Sequence, residues 1–395
     1  MKKLFVPGFS FSSVTADVRG KGEDRPDMGL IYCHGLSAAA GIFTTNSMAA
    51  PPVRLCRERL ASGGVRAILV NSGNANAMTG KEGYEDAVAL CRSVAELLDV
   101  PAESVLFCST GVIGERLPVH RMEEALPRLT GNLSDRGAGL FSEAILTTDT
   151  CTKIAGKQTE VSKGTAGLLG IAKGAGMIAP KMATMLAFIM TDANIEPDTM
   201  GTMLREVNQE TFGAITIDGD TSTNDTVLFI SSGAGPAVRD EQDIQAISTA
   251  LKNVCLDLAE QIVSDGEGTT RVVQVQVGGA VDDDQAQSAA RAVAESLLVK
   301  TAFAAADPNW GRIAAAVGYS GAETSSDALS LSIGDVQVLA GGRLVDGYNE
   351  NLAAEQMSQK RYTIGISLGN GPGSASILTT DLTEEYVRIN CEYRS

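Results

Sequence analysis

The chain has 395 residues, 44% of them hydrophobic, with 42 glycines and only 5% aromatics; this excludes a disordered chain and points to an ordered, small-residue-rich α/β protein of two or three domain-sized units. A formal net charge of −16 argues against nucleic-acid binding, which needs a basic footprint to displace counterions. No uninterrupted apolar run of about 20 residues marks a membrane span, the start at Met1–Gly8 lacks the apolar stretch of a secretory signal, and seven cysteines without a C-x-x-C pair read as free, mostly buried thiols of a reducing, cytoplasmic compartment.

Taken in order, residues 1–60 read as irregular at first and then as short strands, Leu30-Ile31-Tyr32 among them, with a small-residue stretch from Ala38 to Ala50. Thr44-Thr45-Asn46 fits a turn as well as a site lining. Val65–Val70 reads as a strand and runs into the polar loop Asn71-Ser72-Gly73-Asn74-Ala75-Asn76-Ala77. Glu85–Leu98 reads as a helix with Ala87, Leu90, Cys91, Val94, Leu97 and Leu98 on one face. A second strand, Val105–Cys108, leads to Ser109-Thr110-Gly111. A hydroxyl beside a glycine at a strand end offers an O–H and a backbone N–H to one point, the two donors of an oxyanion hole; an ordinary strand-ending turn has the same letters.

Helical patterns follow at Val119–Leu129 and Arg136–Leu146, then the hydroxyl cluster Thr147-Thr148-Asp149-Thr150 and a hairpin over 153–172. Next comes the most informative stretch, Lys173-Gly174-Ala175-Gly176-Met177-Ile178-Ala179-Pro180-Lys181-Met182-Ala183-Thr184, which runs into the apolar strand ending at Thr191. Lys173 is a cation among small residues, suited to hold a carboxylate as a point charge. Lys181 reads as solvent-facing. Thr184 joins a flexible loop to a rigid strand, a position from which a hydroxyl can be aimed. A threonine hydroxyl needs a base, and the chain has only His34 and His120. The alternative base is the nucleophile's own α-amine, released when the preceding bond is cut and titrating near pH 7.7–8.0. That chemistry requires cleavage of Ala183–Thr184. A glycine-rich turn before a core strand is the plain structural reading of the same residues.

Beyond it, a helix is expected from Pro197 to about Thr211, then the acidic loop Asp218-Gly219-Asp220-Thr221-Ser222-Thr223-Asn224-Asp225 and a strand Thr226–Ser231. Asp240–Val263 has the clearest helical stripe. It delivers Asp265-Gly266-Glu267-Gly268, whose carboxylate suits an ammonium ligand or an exposed turn. A strand at Arg271–Val277, an Ala-rich helix at Gln285–Val299, the Asp307–Arg312 segment with the single Trp310 and a short helix near Leu352–Met357 complete the chain.

The segment from Lys173 to Thr184, with Thr44–Asn46, Asn71–Ala77, Ser109–Gly114, Thr147–Thr150, Asp218–Asp225, Asp265–Gly268, Asp307–Arg312 and Ile389–Ser395, resembles the ornithine acetyltransferase family, the glutamate N-acetyltransferases of arginine biosynthesis. The resemblance implies a layered α/β sandwich of the self-cleaving aminopeptidase type, with two sheets packed between helices. It implies self-cleavage between Ala183 and Thr184 into an α part, 1–183, and a β part, 184–395, commonly assembled as α2β2. Acetyl would pass from N2-acetylornithine to Thr184 and then to glutamate by a ping-pong route, with acetyl-CoA as a second donor in bifunctional members. Thr110 and Gly111 match the oxyanion residues; Thr150, Lys173, Glu267, Asn390 and Ser395 match substrate contacts. No metal or organic cofactor, nucleic acid or membrane is called for. Two rivals are a self-cleaving aminopeptidase or amidohydrolase that passes the acyl group to water, and a metabolite-binding protein that is never cut.

Overall fold

The computed structural model describes residues 5–179 and 185–392. Pro180, Lys181, Ala183, Thr184 and Ser395 lie outside the described residues, and with them the expected cleavage point. The chain divides into two compact units, one of Met1–Gly213 with Asp220–Ile262, the other of Ala214–Gly219 with Val263–Arg394. Each holds one sheet, so the expected α/β class with two sheets is observed.

The first unit contains strands β1 (Phe9–Val14), β2 (Met28–Phe43), β3 (Val65–Asn71), β4 (Val105–Ser109), β5 (Lys153–Val161), β6 (Gly164–Lys173), β7 (Leu186–Thr191) and β8 (Thr226–Ser231). They form one sheet in the order β4-β3-β2-β8-β7-β6-β5, with β1 also paired to β2. Its helices are α1 (Pro51–Ser62), α2 (Gly80–Leu98), α3 (Val119–Gly131), α4 (Ala138–Ala144), α5 (Pro197–Glu210) and α6 (Glu241–Ser264), the last turn of which passes into the second unit.

Three departures from the sequence expectations have physical causes. The strands of the first 60 residues are not all short: β2 runs for 16 residues and changes partner along its length, pairing with β3 as far as Ser37 and with β8 from Ala38. A register shift between Tyr32 and Ser37 makes that change possible. Helix α1 starts on Pro51-Pro52, which fill its first turn, where a missing N–H costs nothing. In α2 the inward face runs on to Leu98, half-buried against the core, while Leu97 is exposed.

The expected buried strand after the cleavage segment is β7, buried along all six residues. It lies antiparallel to β6 on one side and parallel to β8 on the other. Phe188 packs edge-on against Phe141, ring centroids 5.7 Å apart, inside the apolar layer under the sheet. The expected hairpin is β5–β6, paired in continuous register from Lys153↔Ala172 to Val161↔Gly164. Gly170 in β6 admits α6: a Cβ there would meet Val254 at 2.6 Å.

The second unit contains β9 (Val272–Ala280), β10 (Ser330–Ile333), β11 (Val336–Ala340), β12 (Arg343–Leu344), β13 (Arg361–Ser367) and β14 (Gly373–Thr380), in the order β12-β11-β10-β13-β9-β14. Its helices are α7 (Asp283–Glu295), α8 (Leu297–Ala305), α9 (Trp310–Tyr319), α10 (Glu350–Met357) and α11 (Glu384–Glu392). The helix expected over Gln285–Val299 is two helices: Ser296 leaves helical geometry and its hydroxyl accepts from Val299 N, capping α8. Trp310 is half-buried against this unit's core, a packing role, and Asn309 caps α9. All seven cysteines are free, five of them buried. Among the described residues no helix is long and apolar enough to cross a membrane.

Candidate active site

In the first unit the sheet brings several strand ends together. Parallel pairing of β3 with β4, Asn71 opposite Ser109, makes both strands deliver their loops to the same edge. Antiparallel β6–β7 pairing sets Lys173 opposite Leu186, and parallel β7–β8 pairing sets Leu186 opposite Thr226. Strand β7 therefore enters the sheet beside Lys173, with Met185 beside Asp225.

The loops after β3 and β4 interlock. Thr110 N donates to Asn71 O at 3.0 Å, Val112 N to Gly73 O at 3.3 Å and Ala75 N to Val112 O at 2.9 Å. Gly111 has φ +134°, and a Cβ on it would lie 2.3 Å from Gly73 C and 2.5 Å from Asn74 N. Only glycine can occupy this position. Asn74 Nδ2 donates to Glu115 O and Arg116 O, holding the outgoing chain as well.

Thr110 is 4% exposed, and Lys173 Nζ is 3.4 Å from its Oγ1. An ammonium has no acceptor, so Thr110 Oγ1 accepts and its O–H is left to donate elsewhere. That orientation is what an oxyanion donor requires.

Lys173 is itself built in. Its Nζ donates to Thr147 Oγ1 at 2.7 Å and lies 3.7 Å from Asp149 Oδ2. Asp149 also takes Lys153 Nζ at 2.7 Å, Gly174 N at 2.6 Å and Thr147 N at 3.1 Å. The side chains of Asp149 and Lys153 are fully buried and that of Lys173 nearly so. Burial opposes charge on Asp149, yet the Lys173 and Lys153 ammonium groups, with the donors from Lys153 and Gly174, hold its carboxyl below the usual carboxylate range. The result is a rigid cation whose position is set by a carboxylate, a hydroxyl and a glycine turn.

The acidic loop before β8 serves the same region. Asn224 Nδ2 donates to Ala75 O at 2.6 Å and Ser109 O at 2.9 Å, tying this loop to both loops around Thr110. Thr44 Oγ1 donates to Ser222 O at 2.6 Å, and Asn46 Nδ2 to Thr221 O at 3.0 Å. Asp225, 1% exposed, accepts from Met185 N at 3.0 Å through Oδ1. Neither histidine belongs here: both are exposed, His34 paired with Ser10 and His120 beside Glu124.

A second cluster lies within the second unit. Asn390 Nδ2 donates to Glu267 Oε2 at 2.7 Å. Gly268, at φ +67°, lets α11 approach: a Cβ would lie 2.5 Å from Tyr386 N, and Thr383 Oγ1 donates to Gly268 O at 2.7 Å.

A family model described as the ArgJ family matches residues 10–395. The chain belongs to the ArgJ family. It is 46% identical to the arginine biosynthesis bifunctional protein ArgJ of Geobacter sulfurreducens, over 99% of this chain and 100% of that one. It is also 46% identical to the protein of the same name in Chlorobium chlorochromatii, over 98% and 90% respectively. A crystal structure of the arginine biosynthesis bifunctional protein ArgJ from Bacillus halodurans aligns at 40% identity with a TM-score of 0.50, covering 98% of that chain and 52% of this one.

Within this ArgJ-family chain, Lys173 lies beside Thr110, which precedes Gly111, and Glu267 meets Asn390. Thr147 of the 147–150 cluster accepts from Lys173, and Thr150 is exposed. Sequence reasoning did not single out Lys153, Asp149, Asn224 or Asp225. For Lys153 the available signal was a lysine opening an otherwise pairable strand four residues after an aspartate. For Asn224 and Asp225 it was a polar pair immediately ahead of a wholly buried strand.

Proposed function

We propose that this chain is a self-processing acetyltransferase of arginine biosynthesis that uses Thr184 as its nucleophile. The observation that carries the reading is the Lys173–Thr110 hydrogen bond, which leaves the Thr110 hydroxyl to donate beside the conformationally obligate Gly111. Strand β7, which follows Thr184 in the chain, begins opposite Lys173. Cleavage of Ala183–Thr184 gives Thr184 a free α-amine. That amine takes the Oγ proton as Oγ attacks the acetyl carbonyl of N2-acetylornithine. Thr110 O–H and Gly111 N–H receive the oxyanion. The C–N bond then breaks, the amine proton passes to the departing ornithine nitrogen, and acetyl remains on Thr184 as an ester. Glutamate's amine repeats the sequence in reverse and leaves as N-acetylglutamate. A thioester donor such as acetyl-CoA would acylate the same hydroxyl, in keeping with the word bifunctional in the relatives' name.

Lys173, steadied by Thr147 and Asp149, is assigned to the substrate carboxylate. Thr150, Glu267 and Asn390 keep the family's assignment as substrate contacts, the Glu267 carboxylate suited to ornithine's ammonium group; Ser395 is carried over in the same way, and Thr147 is added as the hydroxyl that steadies Lys173. Both products of the cut are expected to stay together, because β6 and β7 are hydrogen-bonded neighbours drawn from opposite sides of it. The match of a solved ArgJ chain to about half of this one supports two-part chains in the family. An α2β2 assembly follows the same resemblance.

The test joins two measurements on the purified full chain. Intact mass under denaturing conditions should give two fragments, one starting at Thr184, and Thr184→Ala should stay whole. Labelled acetyl should then pass from N2-acetylornithine to glutamate. An uncut wild-type chain, or acetyl released only to water, defeats the proposal.

A further inference from the structure

Asn71 ends β3 directly opposite Ser109, the last residue of β4, and both are buried. Its backbone O accepts from Thr110 N at 3.0 Å. Its side-chain Oδ1 accepts from Ser109 Oγ at 2.7 Å, and Nδ2 donates to Asn74 O at 2.9 Å and to Ser72 O at 3.3 Å. Two backbone carbonyls can only accept, so the amide has one orientation. A single side chain thus holds the residue before Thr110 through its oxygen and the 72–74 loop through its nitrogen.

Asn74 matters because Gly111 packs on it. The Gly111 Cα faces the Gly73–Asn74 peptide so closely that an added Cβ would lie 2.3 Å from Gly73 C and 2.5 Å from Asn74 N. Asn74 also bridges to Thr110 and to Val112, on either side of that glycine. Fixing Ser109 therefore fixes Thr110, and fixing Asn74 fixes Gly111. An oxyanion hole depends on such spacing, because both donors must lie about 2.7–3.1 Å from one oxygen. Two loops from separate strand ends keep a common spacing when both are tied to one rigid point. Asn71 is such a point, paired to β2 through Met28 and to β4 through Ser109. An ionised aspartate of the same shape would offer acceptors alone, and a leucine of similar size would offer neither group.

Resting on the assignment of Thr110 and Gly111 as oxyanion donors, we infer that Asn71 is the positioning residue of that pair: its amide ties the end of β4 to the 72–74 loop and so sets the distance between the Thr110 hydroxyl and the Gly111 N–H. It acts through those two residues. Its effect falls where negative charge develops on the acetyl oxygen, in the transition state, more than on the bound substrate.

Three variants of the full chain test this. Asn71→Leu keeps the backbone acceptor for Thr110 N and removes both contacts of the amide. Ser109→Ala removes one contact, and Ser109→Thr retains the hydroxyl. In transfer to glutamate, Asn71→Leu should lose about 100-fold in kcat, the scale of a misplacement of about 1 Å, with KM within a few-fold. Ser109→Ala should lose about tenfold, and Ser109→Thr should stay close to wild type. The second readout is spectroscopic. N2-acetylornithine labelled isotopically at the acetyl carbonyl, given without glutamate, should leave a labelled ester on the enzyme. In the wild type its infrared carbonyl band should lie below that of a free ester, because two donors polarise the bond. In Asn71→Leu and Ser109→Ala it should move up toward the free-ester position, which a loss of global stability alone would not cause. Circular dichroism reports folding, and Ser109→Ala decides where Asn71→Leu fails to fold. Wild-type kcat with an unmoved band, or a loss confined to KM, overturns the positioning role and leaves the oxyanion assignment standing. A wild-type band at the free-ester position overturns both. A wild type that forms no labelled ester defeats the transfer reading and the inference with it.

Discussion

Lys173 Nζ and Thr147 Oγ1 lie 2.7 Å apart, which ties the end of β6 to the cluster that follows α4. A hydrogen bond to a charged group contributes about 1.5–3 kcal/mol, enough to set where the cation waits for a carboxylate. Thr147→Ala should therefore raise KM for the acetyl donor by about tenfold, with a smaller fall in kcat. Steady-state kinetics of transfer to glutamate reads this, and a KM within a few-fold of wild type would show that Thr147 does not set the position of the cation.

Gly111 is the site's least replaceable residue on steric grounds. Its φ of +134° is strained for any residue with a side chain, and the nearest atoms to an added Cβ are backbone atoms that cannot turn aside. Gly111→Ala should displace the 111 N–H from the oxyanion position. The expected loss in kcat is about 100-fold, the scale seen when one oxyanion donor is removed. KM should change far less. Transfer at near wild-type rates would show that this N–H is not a donor.

The sequence made the chemistry of Thr110, Gly111 and Lys173 legible because each is an unusual letter in its setting: a hydroxyl–glycine pair at a strand end, a cation among small residues. It made β7 legible because six consecutive apolar residues have few other uses. The supports were not legible. Asp149 gains its meaning from Lys153 and Lys173, and only strand register shows that the three meet. Asp225 reads as one more acid in an acidic loop until the parallel pairing of β7 and β8 places it on Met185. The break at Ser296 was hidden for another reason: Ala-rich composition favours helix on both sides, and a single capping serine outweighs it locally.

Lys153 should matter for stability more than its distance from the reacting atoms suggests. Its removal leaves a fully buried Asp149 with Lys173 as its remaining ionic partner. Breaking a buried pair from one side costs about 3 kcal/mol, so Lys153→Met should lower the denaturation midpoint accordingly. The pH dependence has a definite sign. Asp149's folded pKa is depressed, so its contribution is present above the ordinary carboxylate value of about 3.9 and is lost as pH falls below it. The stability gap between wild type and Asp149→Asn should shrink below about pH 4. A gap unchanged between pH 7 and pH 3 would mean that the ion pairs contribute nothing net.

Asn224 holds the acidic loop to the oxyanion loops by two donors from one amide, to Ala75 O and Ser109 O. Asn224→Asp keeps the shape and turns a donating group into an acceptor facing two carbonyl oxygens. The cost of two buried carbonyls left without donors is about 2–4 kcal/mol. Because Asn224 bridges both loops, kcat should fall with stability, and Asn224→Gln should not rescue it, since its amide is one methylene too far out. A wild-type melting temperature for Asn224→Asp would show that the clamp is dispensable.

The second unit carries a pH response of the opposite kind. Lys300 is 1% exposed, with its ammonium 3.2 Å from Thr379 Oγ1 and 3.0 Å from Thr380 Oγ1, and a further bond to Thr380 O. Burial lowers its pKa from 10.5 to about 8, against the pull of the Asp381, Asp218 and Glu295 carboxylates. Below pH 8 the folded chain therefore bears the full cost of a buried charge. Between about pH 8 and 10.5 the folded lysine is neutral while the unfolded one still binds a proton, so raising the pH stabilises the fold. Relative to Lys300→Met, the wild-type chain should gain about 3 kcal/mol across that interval, read from denaturant unfolding at each pH. A difference that stays flat from pH 7 to pH 10 would show that Lys300 keeps its proton in the folded state, held there by the three threonine acceptors and the nearby carboxylates.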